Sequence, residues 1–256
     1  MTTTAEPLAH RVFPMLPLPR VVSPDEWRTE RLRLLAREKE LTRARDVLNE
    51  ERRALPAVLV RKDYAFETAT GPARLIDLFE GRRQLIVYHF MFHRETGEGC
   101  SGCSHLADNV PHLAHLNARD TTLVFVSHAP LAEIEPFKRR MGWLVPWHSS
   151  WGSDFNYDFH VTLDESVAPL EYNYRTGAAL EASGLPPHFA GELHGVSVFL
   201  RDGDRVLHTY STYARGPEPM LATYAWLDIT PFGRGEGWDG MPNLGIPLRH
   251  HDRYDA

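Results

Sequence analysis

Two cysteines, Cys100 and Cys103, are the only thiols in the sequence, and they lie in the order Cys-Ser-Gly-Cys. They follow the apolar run Leu85–Tyr88, which is typical of a strand buried on both faces. Apolar residues recur at helical spacing after the pair, at Leu106, Val110 and Leu113. A cysteine at a helix N-terminus faces unpaired backbone N–H groups and the positive end of the helix dipole, which stabilise a thiolate. The pattern therefore predicts Cys100 as a nucleophile and Cys103, one turn later, as the resolving thiol.

Other uses of the cysteine pair stay open at this point. A C-x-x-C pair that opens a helix is typical of a redox motif, but the same pair could hold half of a zinc site. Because no second C-x-x-C pair occurs in the sequence, a four-cysteine zinc site is excluded. Two inert, buried cysteines are the third alternative. The glycines around the pair, Gly97, Gly99 and Gly102, favour an exposed turn instead.

Histidines and a polar loop supply further candidates for the site. Of the fourteen histidines, His93 and His105 lie close to the cysteines along the chain, where an imidazole could accept the thiol proton or bind a metal ion. Most of the other histidines are expected to be structural. The loop around Trp151 is expected to border the site, with Asp154 and Asn156 as candidates for polar contacts to a substrate.

Composition indicates an ordinary soluble globular protein. The chain has 256 residues, of which 43% are hydrophobic and 24% charged, and its net charge is −6. This charge gives no electrostatic footprint for nucleic acid or an anionic membrane. No apolar run has the length of a membrane span or of a signal-peptide core. We expect a cytoplasmic protein, in which a dithiol is normally reduced and a disulfide is transient.

A long N-terminal helix is predicted from Ser23 to Leu55. Ser23 is a candidate N-cap, Pro24 suits the first helical position, and no glycine or proline follows until Pro56. One apolar residue recurs every seven positions, at Trp27, Leu34, Leu41 and Leu48. We expect this stripe to pack on the protein's own domain or on a second copy, as in a homodimer. Residues 1–55 are thus interpreted as an arm and helix, 56–232 as the main domain, and 233–256 as an irregular tail.

The main domain reads as a β-α-β-α unit followed by an antiparallel hairpin. Residues 57–68 suit a strand or hairpin, and the run TTLVFVS at 121–127 suits a second buried strand, with an amphipathic helix after it. The aromatic-rich stretch 142–159 is expected to be irregular, and residues 164–191 look like an insertion. The hairpin VSVFL to RVLHTYS turns at Asp202-Gly203.

This order of elements resembles the thioredoxin fold, and LFEGRRQLIVYHF is similar to the strand that leads to the reactive cysteine of peroxiredoxins. The chain is more closely similar, over about residues 20–235, to the bacterial thioredoxin-like family known as domain of unknown function 899. That resemblance rests on segments that include REKELTRARDVLNEERRALP, LFEGRRQLIVYHFMF, GCSGCS, SHAPLAEIEPFKRRMGW, GSDFNYDF and HTYSTYARG. It implies the fold but brings no established substrate, so function must come from the site.

Two departures from the better-known relatives bear on the site. Peroxiredoxins carry Pro and Thr seven and three positions before the reactive cysteine, where this chain has His93 and Gly97. Thioredoxins place a cis-proline opposite the cysteines, where this chain has His194. The resemblance therefore implies that His194 faces Cys100 and Cys103, as a ligand or base. A pair of cysteines with a distant histidine also resembles copper-delivering thioredoxin-like proteins.

The sequence thus predicts an α/β thioredoxin-like fold with a long N-terminal helix and an insertion before the C-terminal hairpin. The predicted function is thiol–disulfide oxidoreduction without a cofactor. Its expected partners are a protein or small-molecule disulfide and a reductant such as thioredoxin or a low-molecular-weight thiol. The alternatives are a thiol peroxidase, a scaffold without chemistry, and a Cu(I)- or zinc-binding protein that uses Cys100, Cys103 and either His194 or His93.

Overall fold

The computed structural model describes residues 18–235 and 247–254. Its contacts divide the chain into two compact units, one made of residues 1–56 and 227–246 and the other of residues 57–226 and 247–256. The described part of the first unit contains the long helix, and the second unit contains the sheet and both cysteines.

The long helix α1 runs from Pro24 to Arg53. Its N-terminus is capped as the sequence predicts, because the Ser23 side chain accepts a hydrogen bond from the backbone N–H of Glu26 at 3.2 Å. Acidic residues in its first turn and basic residues in its last turn complement the helix dipole. No residue of α1 is buried, and the four stripe residues remain 45% to 71% exposed.

The second unit is built on an eight-stranded sheet with the strand order β1-β14-β13-β4-β7-β8-β2-β3. Its strands are β1 (Val58–Leu59), β2 (Ala65–Thr68), β3 (Gly71–Arg74), β4 (Gln84–His89), β7 (Thr121–Ser127), β8 (Trp147–Ser149), β13 (Gly195–Asp202) and β14 (Arg205–Tyr213). Two-residue strands form three small pairs elsewhere in the described chain: β5 (Phe92–His93) with β6 (Glu98–Gly99), β9 (Thr162–Leu163) with β12 (Gly191–Glu192), and β10 (Glu171–Tyr172) with β11 (Arg175–Thr176).

The helices of this unit are short. They are α2 (Ser101–Asp108), α3 (Ala114–Asn117), α4 (Leu131–Arg140), α5 (Phe155–Asp158), α6 (Gly177–Glu181) and α7 (Ala222–Leu227), of which the last ends at the border between the units. Single 3₁₀ turns occur at Asp77–Phe79, Glu218–Met220 and His251–Arg253.

The four central strands give the fold its class. β4 pairs in parallel with β7 across the α2 crossover, while β13 pairs antiparallel with β4 and with β14. The order β14-β13-β4-β7, with one parallel pair beside a C-terminal hairpin, is the thioredoxin-like arrangement. The predicted fold, with its long N-terminal helix, is therefore confirmed. β4 lies at the centre because its apolar run can be covered on both faces.

One local prediction was wrong, and a second, the strand or hairpin at residues 57–68, was right about strands but not about a hairpin. The stretch 142–159, expected to be irregular, contains β8, which pairs in parallel with β7, and the helix α5. β8 has only three residues, too few to show an alternating pattern, yet Trp147 in it is 2% exposed. Residues 57–68 form no hairpin, because β1 pairs with β14 at one edge of the sheet and β2 pairs with β3 and β8 near the other.

Apolar side chains cover both faces of the sheet. One cluster, beneath α2, includes Tyr88, Phe90, Cys103, Phe125 and Val196. The cluster on the opposite face includes Leu85, Val87, Val124, Phe155 and Phe199. Because β4 supplies both clusters, the cysteine helix packs against a strand that is covered on both faces.

A buried chain of polar groups crosses three strands. His89 Nε2 lies 2.8 Å from Ser197 Oγ, which lies 2.8 Å from Ser211 Oγ, and His208 Nε2 lies 2.7 Å from the latter oxygen. Burial lowers the pKa of His89 to about 3, so this imidazole is neutral.

In the described part of the chain, no helix combines the length and the apolar character needed to cross a lipid bilayer.

Candidate active site

Cys100 occupies the N-cap of α2, directly after β6. Its backbone N–H donates to the Met91 carbonyl oxygen at 3.0 Å, and its own carbonyl oxygen accepts from the backbone N–H and the hydroxyl of Ser104, both at 2.9 Å. These three bonds fix the first turn of the helix against the loop that follows β4. Cys100 is only partly buried, in contrast to the fully buried Cys103.

The environment of Cys100 stabilises its thiolate. The pKa of Cys100 is lowered to about 5, chiefly because the Cys103 thiol donates a hydrogen bond to its sulfur. The backbone N–H groups of Cys103 and Gly102 add to this effect against the opposing effect of burial, and the charge of His93 contributes further. Cys100 is therefore ionised at neutral pH. The lowered pKa is the property that an activated nucleophilic cysteine needs.

Cys103 is held in the opposite state. It is 2% exposed, and burial raises its pKa well above the usual range, as does the neighbouring Cys100. Its sulfur accepts a hydrogen bond from the Met91 backbone N–H at 3.5 Å and is hydrogen-bonded to the Tyr88 hydroxyl. The two cysteines form no disulfide in this structure. The pair therefore combines an accessible thiolate with a buried, protonated thiol.

Two tyrosines, which sequence reasoning missed, complete the surroundings of Cys103. Tyr88 on β4 is 2% exposed and is hydrogen-bonded to the sulfur. Tyr172 on β10 has its pKa raised to about 12, first by burial and also by the charge of Cys103. Tyr88 belongs to β4, the strand that precedes the cysteines. Its place in this buried strand is the one signal in the sequence that could have indicated a contact with Cys103. Tyr172 comes from the segment interpreted as an insertion, and no pattern in the sequence signals its approach.

His194 contacts Tyr172 through its backbone carbonyl group. Tyr172 donates its hydroxyl hydrogen to the His194 carbonyl oxygen at 2.9 Å. The His194 imidazole lies with Nε2 2.9 Å from the carbonyl oxygen of Ala214, so the ring donates a hydrogen bond to the backbone there. The next residue, Gly195, is tightly packed, because a Cβ at this position would come within 2.6 Å of the Tyr213 ring. Contact of His194 with the sulfurs stays a prediction.

The other two candidate histidines have different surroundings. His93 is exposed on β5, near enough to Cys100 for its charge to lower the thiol pKa. His105 is buried in α2, and its ring packs edge-on against Tyr224 with 5.1 Å between centroids. His93 thus acts on the Cys100 sulfur through its charge, whereas the His105 ring packs against Tyr224.

The predicted substrate residues do not form one group. Trp151 is 49% exposed, and the guanidinium carbon of Arg94 lies 4.2 Å from its ring centroid, which connects Trp151 to the β5–β6 loop next to Cys100. Asp154 pairs with Lys62, with 2.6 Å between the charged atoms. Asn156 is 1% exposed and accepts a hydrogen bond from the Ser150 hydroxyl at 2.7 Å. Substrate contact by these residues stays a prediction.

The turn at His250–Arg253, which we call the C-terminal clasp, holds both ends of the cysteine helix. His250 Nε2 lies 2.8 Å from the Gly99 carbonyl oxygen, directly before Cys100. Arg140 donates to His250 Nδ1 at 3.0 Å, and because a guanidinium can only donate, Nδ1 accepts and Nε2 carries the hydrogen. At the other end of α2, His251 Nδ1 lies 2.7 Å from Asp108 Oδ1.

Glu98 forms the charged part of the same contact. Its carboxylate accepts from Arg140 at 2.6 Å and from Arg253, and the Arg140 bond lowers the pKa of Glu98. The clasp lies in the stretch 233–256, which the sequence predicts as an irregular tail, so no pattern signalled it.

The positions of the two cysteines and His194 give little support to a metal site. Within residues 18–235 and 247–254, no group of three or more His, Cys, Asp and Glu side chains is arranged to hold a metal ion. The imidazole of His194 is hydrogen-bonded to the backbone, and the Cys103 sulfur is enclosed by Tyr88 and Met91. This donor set therefore does not favour the Cu(I) or zinc alternative.

Comparison with solved structures finds distant neighbours. Peroxidoxin BcpB from Mycobacterium tuberculosis is 17% identical, with a TM-score of 0.41, over 66% of this chain and 95% of that chain. The bacterioferritin comigratory protein of Xanthomonas campestris is 11% identical, with a TM-score of 0.42, over 66% of this chain and 94% of that chain. A putative protein disulfide isomerase from Bacteroides thetaiotaomicron is 14% identical, with a TM-score of 0.36, over 66% and 87%. The fold assignment rests on the strand order given above.

No curated protein matches the sequence. Residues 16–254 match a family described as bacterial proteins of unknown function, DUF899, and this match spans nearly the whole chain, including the sheet, the cysteine helix and the clasp. The chain therefore belongs to the DUF899 family of bacterial proteins.

Proposed function

We propose that the protein is a thiol–disulfide oxidoreductase that uses Cys100 as its nucleophile and Cys103 as its resolving thiol. The observation that carries this proposal is the opposite ionisation of the two cysteines, an accessible Cys100 whose pKa is lowered to about 5 and a buried Cys103 whose pKa is raised. An exchange reaction needs one thiolate to attack and one thiol held in reserve to resolve the intermediate.

The proposed reaction has two exchange steps. The Cys100 thiolate attacks one sulfur of a substrate disulfide, which forms a mixed disulfide and releases the other sulfur as a thiolate. Cys103 then attacks the Cys100 sulfur, which forms the internal disulfide and releases the second substrate sulfur, and the proton of Cys103 passes to a released substrate thiolate. Two electrons pass to the substrate. A thiol reductant, either thioredoxin or a low-molecular-weight thiol, returns them and restores both cysteines.

Residues around the pair have separate roles in this proposal. The N–H groups at the start of α2 stabilise the attacking thiolate, and the charge of His93 adds to that stabilisation. The Met91 N–H and the Tyr88 hydroxyl face the Cys103 sulfur, so they are placed to stabilise it as it loses its proton. The exposed Trp151 ring beside Arg94 offers an apolar surface for the substrate near the nucleophile.

The test is a trapping experiment with the two single variants. The reduced protein, Cys103→Ser and Cys100→Ser are each treated with a disulfide substrate, such as a mixed glutathione disulfide of a model peptide. We expect Cys103→Ser to accumulate a mixed disulfide at Cys100, Cys100→Ser to trap none, and the unmodified chain to yield the internal disulfide. Mass spectrometry after acid quench measures all three. Equal trapping by both variants, or by neither, would contradict the proposal.

Peroxidation is separated from exchange in the same samples. The Cys103→Ser variant is treated with hydrogen peroxide and dimedone, which marks a sulfenic acid. If peroxide consumed Cys100 much faster than the disulfide did, the protein would be a thiol peroxidase with the same nucleophile, and the exchange proposal would be wrong.

A further inference from the structure

An apolar cavity of about 360 Å³ lies against the sheet next to the cysteine helix. Its walls come from the two central parallel strands, from α2 and from the segment after α2, and include Ile86, Tyr88, Leu106, Val110, Leu123 and Phe125. All of these residues belong to the second unit. The cavity is therefore part of the thioredoxin-like domain itself.

The cavity lies beside α2, which is shorter than the strand β4 beneath it. The eight residues of α2 span about 12 Å, whereas the six residues of β4 extend over about 20 Å. Ile86 is paired in register with Leu123 on one side and Val198 on the other. These three apolar residues lie side by side in central strands, and yet all three are only partly buried. Central positions of a sheet are normally covered completely, so this row lacks part of its cover.

The polar groups at the cavity already have hydrogen-bond partners. Asn109 Oδ1 accepts from the backbone N–H and the hydroxyl of Thr223 at 2.7 and 2.9 Å, and Asn109 Nδ2 donates to the His105 carbonyl oxygen. The Tyr88 hydroxyl is hydrogen-bonded to the Cys103 sulfur. Among the residues of 18–235 and 247–254 that line it, none is Asp, Glu, Lys, Arg or His. A charged or strongly polar molecule would lose its hydration here without gaining partners.

We propose that this cavity binds one small, neutral, apolar molecule, such as an aromatic ring with a short alkyl chain. A dry cavity of roughly 150 Å³ lined by Leu, Ile and Phe is large enough to bind benzene. The volume found here has room for such a ring and several additional carbon atoms, and it falls within the size range of small-molecule pockets. Binding does not depend on thiol exchange, so the proposal goes beyond the proposed function.

The position of the cavity connects its occupant to the cysteine pair. The ring of Tyr88 forms part of the wall, and the hydroxyl of the same side chain bonds the buried thiol. Leu106 lines the cavity one helical turn after Cys103. A bound molecule therefore packs against the two side chains that fix Cys103 within its cluster.

The experiment titrates n-butylbenzene into the reduced full-length protein and follows binding by calorimetry and by the melting temperature. 4-Phenylbutyrate, which has the same ring and a chain of the same length that ends in a carboxylate, is the matched control ligand. We expect saturable binding at one site and a rise in melting temperature with n-butylbenzene, and an affinity at least about tenfold weaker for 4-phenylbutyrate, because its charge loses hydration in an apolar cavity and a factor of ten corresponds to about 1.4 kcal/mol. Equal binding of both ligands, or no binding of n-butylbenzene up to its solubility, would overturn the proposal.

Variants that fill the cavity supply a second test of the proposal. Leu123→Trp and Val110→Trp place extra volume in it, and Leu144→Trp adds the same ring at a position that is 91% exposed. We expect the first two variants to lose n-butylbenzene binding and the third to retain it. If the filled variants unfold, methyl chemical-shift changes in the unmodified protein locate the ligand, and shifts away from Ile86, Leu106 and Leu123 would refute the site. Unchanged binding by Cys100→Ser separates this result from any failure of the thiol chemistry.

Discussion

The thiol of Cys103 donates a hydrogen bond to the sulfur of Cys100, and this contact moves the pKa values of the two groups in opposite directions. For Cys100 it is the largest cause of the lowered pKa, ahead of the helix N–H groups. The resolving thiol thus prepares the nucleophile before any substrate arrives.

The first prediction concerns the pH dependence of Cys100 alkylation. The thiolate is the reactive form, so the rate with iodoacetamide should stay near its maximum above about pH 6 and fall as the pH drops through about 5. Cys103→Ala removes the hydrogen bond that contributes most to the shift, and its profile should therefore move to higher pH. Peptide mapping assigns the label to each cysteine. A Cys103→Ala profile that coincides with that of the unmodified protein would show that the helix N-terminus, not Cys103, sets the pKa.

The second prediction compares two glycines beside Cys100. A Cβ at Gly99 would come within 2.5 Å of the Phe90 ring and 2.7 Å of the Phe137 ring, and both rings are almost fully buried. Gly99→Ala should therefore lower the free energy of unfolding by about 1–3 kcal/mol through overpacking. Gly102→Ala, whose Cβ would meet only the Cys100 sulfur at 3.8 Å, should raise it by about 0.5–1 kcal/mol because alanine favours the helix. Urea unfolding of the reduced variants measures both values.

The third prediction concerns the clasp. His250→Ala leaves the Gly99 carbonyl oxygen without its 2.8 Å partner in a buried position, which should cost about 1–3 kcal/mol of stability. It should also raise the pKa of Cys100, because the residue before the nucleophile is no longer fixed. His250→Gln can still donate to Gly99 and accept from Arg140, so it should restore the alkylation profile at least in part. Arg253→Ala removes a half-exposed ion pair with Glu98 and should change stability by about 1 kcal/mol or less.

A clasp with no role in positioning Cys100 would behave differently. His250→Ala would then lose stability while its alkylation profile, measured well below the unfolding temperature, matched that of the unmodified protein.

The sequence predicted the parts of the fold and site that depend on short-range patterns. The apolar run Leu85–Tyr88 predicted β4, and the cap at Ser23 with no later glycine or proline before Pro56 predicted α1. The glycines around Cys100 indicated a turn before the cysteine helix. Each signal lies within a few residues of the element that it specifies, so periodicity and capping suffice to read it.

The remainder depends on contacts between distant residues. Tyr172 reaches the backbone of His194 from a two-residue strand, and His250 meets Gly99 across 151 positions of the chain. Neither contact repeats with a helix or strand period, so no single-sequence pattern reveals it. The His194 side chain illustrates the same limit, because its hydrogen bond to Ala214 depends on where the end of β14 lies.

The fourth prediction concerns the apolar stripe of α1, whose residues Trp27, Leu34, Leu41 and Leu48 are 45% to 71% exposed in the single chain. Apolar rows of this length are normally covered, so we expect a homodimer in solution that uses this stripe. The double variant Leu34→Glu with Leu41→Glu should dissociate it, whereas Ala36→Glu, at an exposed position off the stripe, should not. Sedimentation equilibrium gives the mass of each form. A monomeric unmodified protein at micromolar concentration would contradict the expectation.

The clasp joins two parts of the chain that are made far apart in time during synthesis. Gly99 and His250 are separated by 151 positions, which a ribosome adding about 5–20 residues per second needs about 8–30 s to translate. Until His250 has emerged and folded back, the carbonyl before Cys100 lacks this partner, while the ion pair of Glu98 with Arg140 needs only 42 further residues. The clasp is therefore the contact of the cysteine helix that synthesis completes late, after the sheet strands and both cysteines have been made.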